Sequence, residues 1–193
     1  MVGQTTSPAD SRWMVEAVDA LAHELRRHHA PTADHSHRLA AHARTLADRM
    51  RLDPIEATEA ELVAMLHDVG KLAVDPRILD WPGPLDEGQR ERVRRHTIEG
   101  EEMLAAVAGL EHLAPAVRAT HEAWDGSGYP DGLQGDQIPL SARIVTVVDA
   151  YDAMTSERAY RQPLPRSEVL RRLRFGAGRQ FDPRVVGALL TLI

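Results

Sequence analysis

The 193-residue sequence predicts an all-α fold, a bundle of about seven helices. Three observations lead there. Apolar residues recur at three- and four-residue intervals through most of the chain, and strand-like alternation is nearly absent. The apolar content is carried by Ala and Leu, with aromatics at only 4%, so the core must be aliphatic. Hydrophobic content of 43% beside 27% charged residues is ordinary for a globular protein, and the length suits one domain with a sizeable core.

Ser7 before Pro8 reads as an N-cap with proline at the first helical position, and Trp13, Ala17, Leu21 and Leu25 follow at helical spacing. A second helix is expected to open at His35, with Leu39, Ala43, Leu46 and Met50 on one face. The third runs from about Pro54 to Val69, burying Leu62, Met65, Leu66 and Val69, and stops at Gly70. Residues 71–85 hold four prolines or glycines and read as an irregular connection. Asp86 with Gln89 makes a capping box for a helix through about Leu110. A shorter helix starts near Pro115, and others span Leu140 to about Met154 and Ser167 to Arg174. The last has Asp182 as cap and Pro183 at its first position. Residues 1–34 are taken as an N-terminal helical extension and residues 35–193 as the functional domain.

Composition removes several classes of function. With no cysteine, thiolate metal sites, disulfides and cysteine nucleophiles are excluded. No segment approaches the roughly 18 apolar residues of a membrane span, and Glu16 and Asp19 interrupt the first candidate for a signal peptide, so a cytoplasmic location is expected. A net charge of −6 argues against a duplex nucleic-acid binder. Of 23 basic residues, Lys71 is the single lysine.

Residues 120–132, THEAWDGSGYPDG, contain Asp125-Gly126, Gly128, Pro130 and Asp131-Gly132 and cannot continue a helix. Such a loop is either a solvent-facing turn or a functional site. His67-Asp68 ends an apolar helix and is followed by Gly70 and Lys71, a combination that suits a metal–phosphate site. The same pair also reads as a helix-terminal histidine with a solvated aspartate. His35 shares a face with Leu39 and Leu46, and His96 lies beside Gly100 one turn later. His121 ends a helix, and Asp149 stands in the apolar stretch IVTVVDAYDAM, where a lone carboxylate is costly to bury. Singly, each reads as a core or capping polar group. Together, four imidazoles and two carboxylates suit a mixed N/O transition-metal site between facing helices. His23, His28, His29, His37 and His112 are expected to be solvated, and His42 to pack in the core.

HDVGK at 67–71, His96, HEAWDGSGYP at 121–130, IPLSARI at 138–144, Asp149 and RAYR at 158–161 resemble the HD-GYP family of metal-dependent phosphohydrolases, associated with hydrolysis of cyclic di-GMP. The likeness runs from about His35 to Val186. It implies an HD-domain-like helical bundle in which His35, His67, Asp68 and Asp149 hold one metal, while Asp68 bridges to a second held by His96 and His121. Asp68 and Lys71 would be the catalytic groups. Lys71, Arg158 and Arg161 would contact phosphate and nucleotide, and Tyr129 would shape the substrate side of the cleft. Iron or manganese is the first expectation for this ligand set, with zinc, nickel and cobalt as other candidates. The implied activity is opening of cyclic di-GMP to the linear dinucleotide, with GMP as a further product, by a metal-bridging hydroxide.

Two departures from the family pattern bear on that reading. A histidine pair is usual before the glutamate, whereas this chain has Thr120-His121-Glu122, so the second metal position is expected to be weak. Pro31 stands where members with a third metal carry glutamate, so a three-metal centre is not expected. Thr120 also keeps open an alternative, a degenerate module that binds cyclic di-GMP or a partner protein without turnover. Glu122 and Asp125 are read as orienting or structural, and Trp124 as packing the loop against the fold. Residues 1–34 are left for dimerisation or docking on a separate sensor protein.

Overall fold

The computed structural model describes residues 8–157 and 162–193, and among these the regular structure is entirely helical. The α-helices are α1 (Pro8–His28), α2 (Ala30–Arg49), α3 (Pro54–Leu66), α4 (Pro76–Leu79), α5 (Glu87–Arg94), α6 (His96–Ala105), α7 (Ala114–Arg118), α8 (Leu140–Thr155), α9 (Arg166–Gly176) and α10 (Pro183–Leu189). Short 3-10 turns at Val69–Ala73, Glu111–Leu113, Ala119–His121 and Gly135–Gln137 link them. Ser7, Arg158 and Arg161, all singled out in the sequence, lie outside the described residues.

Local chemistry fixes the helix starts. Asp53 and Glu56 form a capping box on α3, as Asp86 and Gln89 do on α5, and Asp182 caps α10. The second helix begins five residues before the expected His35, and the division drawn between residues 34 and 35 falls inside it. His29 supplies its cap: Thr32 N–H bonds to the imidazole Nδ1 at 3.3 Å, and Pro31 sits in the first turn, where a missing N–H costs nothing. The expected helix from Asp86 to Leu110 is broken at Arg95. There the His96 ring donates to the Val93 carbonyl and the Thr97 hydroxyl to the Arg94 carbonyl, competing with the main-chain ladder.

The core is aliphatic. Leu39, Ala43, Leu46 and Ala47 of α2 and Ala57, Ala60, Val63 and Ala64 of α3 are fully buried, and α8 packs across both with Ile144, Val145, Val147 and Val148. Alanines in the α2–α3 seam let the two backbones approach closely. Leu62 and Met65 are half-buried and Trp13 is exposed, so the apolar faces are narrower than their spacing implies.

Two glycines set the segment after α3 against α6. The expected stop of α3 at Gly70 is instead a turn: α3 ends at Leu66, Asp68 leaves helical geometry at φ −102°, and the chain passes through Gly70 as a 3-10 segment. A Cβ at Gly70 would collide with the His96 carbonyl and lie 2.5 Å from Gly100 N. A Cβ at Gly100 would already be 3.1 Å from Val117. The turn after Asp68 and the start of α6 therefore touch backbone to backbone. Gly70→Ala is expected to lower stability by about 2 kcal/mol or more. Gly187→Ala, in α10 with open space around it, should be neutral or stabilising by up to about 1 kcal/mol. Urea unfolding of both variants checks this, and a Gly70→Ala chain as stable as the parent contradicts the tight crossing.

Candidate metal centre

Asp68 is the hub. Its side chain is 2% exposed, at the junction where α3 gives way to the 3-10 turn. Lys71 Nζ bonds to Oδ2 at 2.7 Å, His67 Nε2 lies 3.4 Å from Oδ2, and His96 Nε2 lies 3.4 Å from Oδ1. Burial alone would raise the carboxyl pKa. The neighbouring His67, Lys71 and His96 more than reverse this, and the group is held well below the usual carboxylate range. The Lys71 ammonium bonds directly to the carboxylate, whereas burial drives His96 down to about 3 and leaves it neutral at pH 7.

The imidazoles are oriented from behind. His67 Nδ1 bonds to the Ala64 carbonyl at 2.8 Å, and His96 Nδ1 bonds to the Val93 carbonyl. A carbonyl only accepts, so each Nδ1 carries a proton, and the neutral His96 ring presents the lone pair of its Nε2 toward Asp68. His121 stacks under Tyr129, ring centroids 5.2 Å apart and 8° from parallel, and meets His96 edge-on at 4.9 Å. Burial lowers its pKa to about 4, so it too is neutral. His35 meets His67 edge-on at 5.5 Å. Its Nε2 is 3.1 Å from Asp149 Oδ1 and its Nδ1 is 2.9 Å from Asp152 Oδ2. Burial lowers the His35 pKa, but the two aspartates overcome this and raise it to about 9.

Among the described residues, two trios of donor atoms each lie within 4.8 Å of one another: His35, His67 and Asp68, and Asp68, His96 and His121. Asp68 belongs to both. Asp68 Oδ1 and His96 Nε2 are buried without a hydrogen-bond partner, and both are acceptors, so their lone pairs face each other across 3.4 Å. That juxtaposition is costly unless a cation stands between them. The donor set therefore fits a divalent metal.

His35, His67, Asp68, Lys71, His121 and Asp149 line one cleft of about 550 Å³, a size suited to a small-molecule ligand, while His96 and Tyr129 do not line it and join the group through their contacts with Asp68 and His121. Arg38, Asp152 and Glu157 also line the cleft. Thr120 takes a different role from the histidine usual there. It is buried, and its hydroxyl donates to the Val117 carbonyl at 2.9 Å, so the second trio draws its donors from Asp68, His96 and His121. The turn carrying it is pinned to α8, where the Thr146 hydroxyl donates to the Thr120 carbonyl.

The 122–139 loop doubles back under several constraints. A Cβ at Gly128 would collide with the backbone of Glu122 and Ala123, and Tyr129 N–H bonds to the His121 carbonyl at 3.1 Å. Buried Glu122 accepts N–H bonds from Asp131 and Gly132, and Asp125 accepts from Ser127. The guanidinium groups of Arg143 and Arg184 both lie over the Trp124 ring. Two histidines expected to be solvated are not. His28 Nε2 bonds to the Val74 carbonyl at 2.8 Å, and His29 caps α2 and reaches Asp80. His42 packs edge-on against Tyr151. Asp152 does not stand out in the sequence, although its three-residue offset from Asp149 places both acids on one helix face.

The sequence profile of the HD domain family matches residues 19–185. A 3'3'-cGAMP-specific phosphodiesterase of Vibrio cholerae is 37% identical over 177 residues, 91% of this chain and 34% of that protein. A cyclic di-GMP phosphodiesterase response regulator of Xanthomonas campestris is 38% identical over 177 residues, 91% of this chain and 47% of that one. The solved structure of a cyclic GMP-AMP specific phosphodiesterase of Vibrio cholerae shares the fold, with a TM-score of 0.68 at 18% identity, covering 92% of this chain and 48% of the other. The chain spans less than half the length of these curated relatives. With the profile covering most of its length and the His67-Asp68 pair at the hub of the cleft, the chain belongs to the HD-domain family, carrying the HD-GYP motifs at 67–71 and 121–130.

Proposed function

We propose that the chain is a metal-dependent phosphodiesterase that opens a cyclic dinucleotide, cyclic di-GMP first among them. One observation carries this reading: a buried aspartate set between two imidazoles, with one oxygen facing the unpartnered lone pair of His96 Nε2, beside the only lysine in the sequence. Relatives named for hydrolysis of cyclic di-GMP or 3'3'-cGAMP support the substrate class.

A divalent metal, iron or manganese by the donor set, supplies Lewis-acid polarisation of a phosphoryl oxygen and a water of lowered pKa. His35, His67, Asp68 and Asp149 would hold one ion, and Asp68, His96 and His121 a second. The chain's own groups do the rest. Lys71, 2.7 Å from Asp68 and partly open to the cleft, puts fixed positive charge where a scissile phosphate would lie. Tyr129 stacks on His121 with the Arg94 guanidinium over its ring, and is proposed to shape the substrate side of the cleft. Water adds to phosphorus, one P–O ester bond breaks, and the ring opens to the linear dinucleotide. Arg158 and Arg161 are proposed as nucleotide contacts on sequence grounds.

The test is turnover of cyclic di-GMP and 3'3'-cGAMP with Fe²⁺ or Mn²⁺, resolved by chromatography. Asp68→Asn is expected to lower kcat at least about a hundred-fold. No turnover of either nucleotide in any metal contradicts the proposal.

A second reading, nucleotide binding without turnover, is favoured by one feature: the Thr120 hydroxyl is spent on a backbone carbonyl, which leaves the second trio a donor short of the family pattern. Calorimetry showing tight nucleotide binding beside absent hydrolysis would select it. Thr120→His is expected to raise metal content per chain, and unchanged stoichiometry by elemental analysis would contradict this account of the position.

Metal uptake should also release a proton. His35 is raised to about 9 and so is protonated at pH 7.5, whereas His96 and His121 are already neutral. Filling the His35 position is expected to displace about one proton, with affinity rising roughly ten-fold per pH unit up to about 9. Calorimetry in buffers of different ionisation enthalpy measures this, and pH-independent uptake without proton release contradicts it.

A further inference from the structure

Helix α8 gives His35 two carboxylates, and only Asp149 belongs to the proposed metal donors. Asp149 meets Nε2 and Asp152 meets Nδ1, one acid on each ring nitrogen. The two acids differ in surroundings. Asp149 is a third exposed and faces the cleft, whereas Asp152 is 2% exposed. Each Asp152 oxygen takes two donors. Oδ1 accepts from Arg38 Nε at 3.2 Å and Ser156 Oγ at 2.9 Å, and Oδ2 accepts from Arg38 Nη2 at 3.3 Å and His35 Nδ1 at 2.9 Å. A carboxylate so held cannot turn away from the imidazole.

The other two oriented histidines follow the same plan with weaker acceptors. His67 and His96 spend Nδ1–H on carbonyls three residues earlier in their own chain segments. His35 lies within a regular helix, where the main chain offers its ring no free carbonyl, and the acceptor comes from α8 instead. Arg38, three residues after His35, reaches the same carboxylate, so α2 supplies ring and clamp while α8 supplies both acids.

We propose that Asp152 is a positioning residue, which accepts His35 Nδ1–H, fixes the tautomer and ring orientation, and aims Nε2 at the metal position shared with His67 and Asp68. An anionic acceptor behind an imidazole also strengthens it as a donor to a cation. The inference rests on the metal-centre reading. A carboxylate that merely tied α2 to α8 would act on stability and leave metal affinity and the imidazole signal unchanged.

The experiment uses the full chain, stripped of metal and titrated with Mn²⁺, together with long-range ¹H–¹⁵N spectra of the Zn²⁺-loaded protein. In the parent, His35 should be protonated at Nδ1 and metal-shifted at Nε2. Asp152→Ala is expected to weaken Mn²⁺ binding on the order of ten-fold and to remove that signature. Asp152→Asn, which keeps a neutral acceptor oxygen, should fall between the two. Where Asp152→Ala fails to fold, Asp152→Asn decides: weakened binding supports the proposal, and parental affinity overturns it. Parental affinity and an unchanged His35 signature in Asp152→Ala overturn the inference alone. A parent chain that takes up no Mn²⁺ overturns the metal-centre reading and the inference with it.

Discussion

Asp68 keeps a negative charge at an almost fully buried position on the wall of the cleft, and the surrounding structure is arranged around that fact. An unpaired buried carboxylate costs several kcal/mol, so the fold must supply positive charge or lose the ionised form. Lys71 supplies part of it through a three-residue turn. His96 adds no fixed charge at neutral pH, because its buried ring is neutral, donates Nδ1–H to the Val93 carbonyl and turns its Nε2 lone pair inward. A buried carboxylate oxygen facing an imidazole lone pair is a poor arrangement for a protein alone and a good one for a protein with a divalent cation.

The scaffold brings the pieces together by close backbone contact. Alanine faces let α2 and α3 approach, and the crossing at Gly70 and Gly100 sets α6 against the turn after Asp68. That crossing puts His96 beside Asp68 although the two are 28 residues apart in the sequence. Helix α8 crosses both α2 and α3 and carries Asp149 and Asp152 to His35. The 122–139 loop follows His121, and its path is held by Glu122, which accepts from Asp131 and Gly132, and by the Arg143 and Arg184 guanidinium groups over Trp124.

The sequence carries the fold class and most helix bodies, because amphipathic spacing and caps such as Asp53, Asp86 and Asp182 are local features. It also marks the residues that gather in the cleft, since histidines and acids at apolar or helix-end positions stand out against an aliphatic background. Other details depend on contacts between distant segments. The His29 cap is hard to read because histidine is an uncommon cap and its partner Asp80 lies 51 residues away. The break at Arg95, by contrast, is local, set by His96 and Thr97 side chains that take carbonyls three residues back, a competition that apolar spacing does not show. Asp152 is legible in principle from its offset to Asp149, but its role depends on which helix faces it.

The central claim is that Asp68 joins two cation positions, one toward His35 and His67 and the other toward His96 and His121. Anomalous scattering from crystals loaded with Mn²⁺ tests it most directly. The account predicts a strong peak among His35, His67, Asp68 and Asp149 and a weaker one beside Asp68, His96 and His121. Peaks elsewhere on the chain, or none within bonding reach of Asp68, would contradict it.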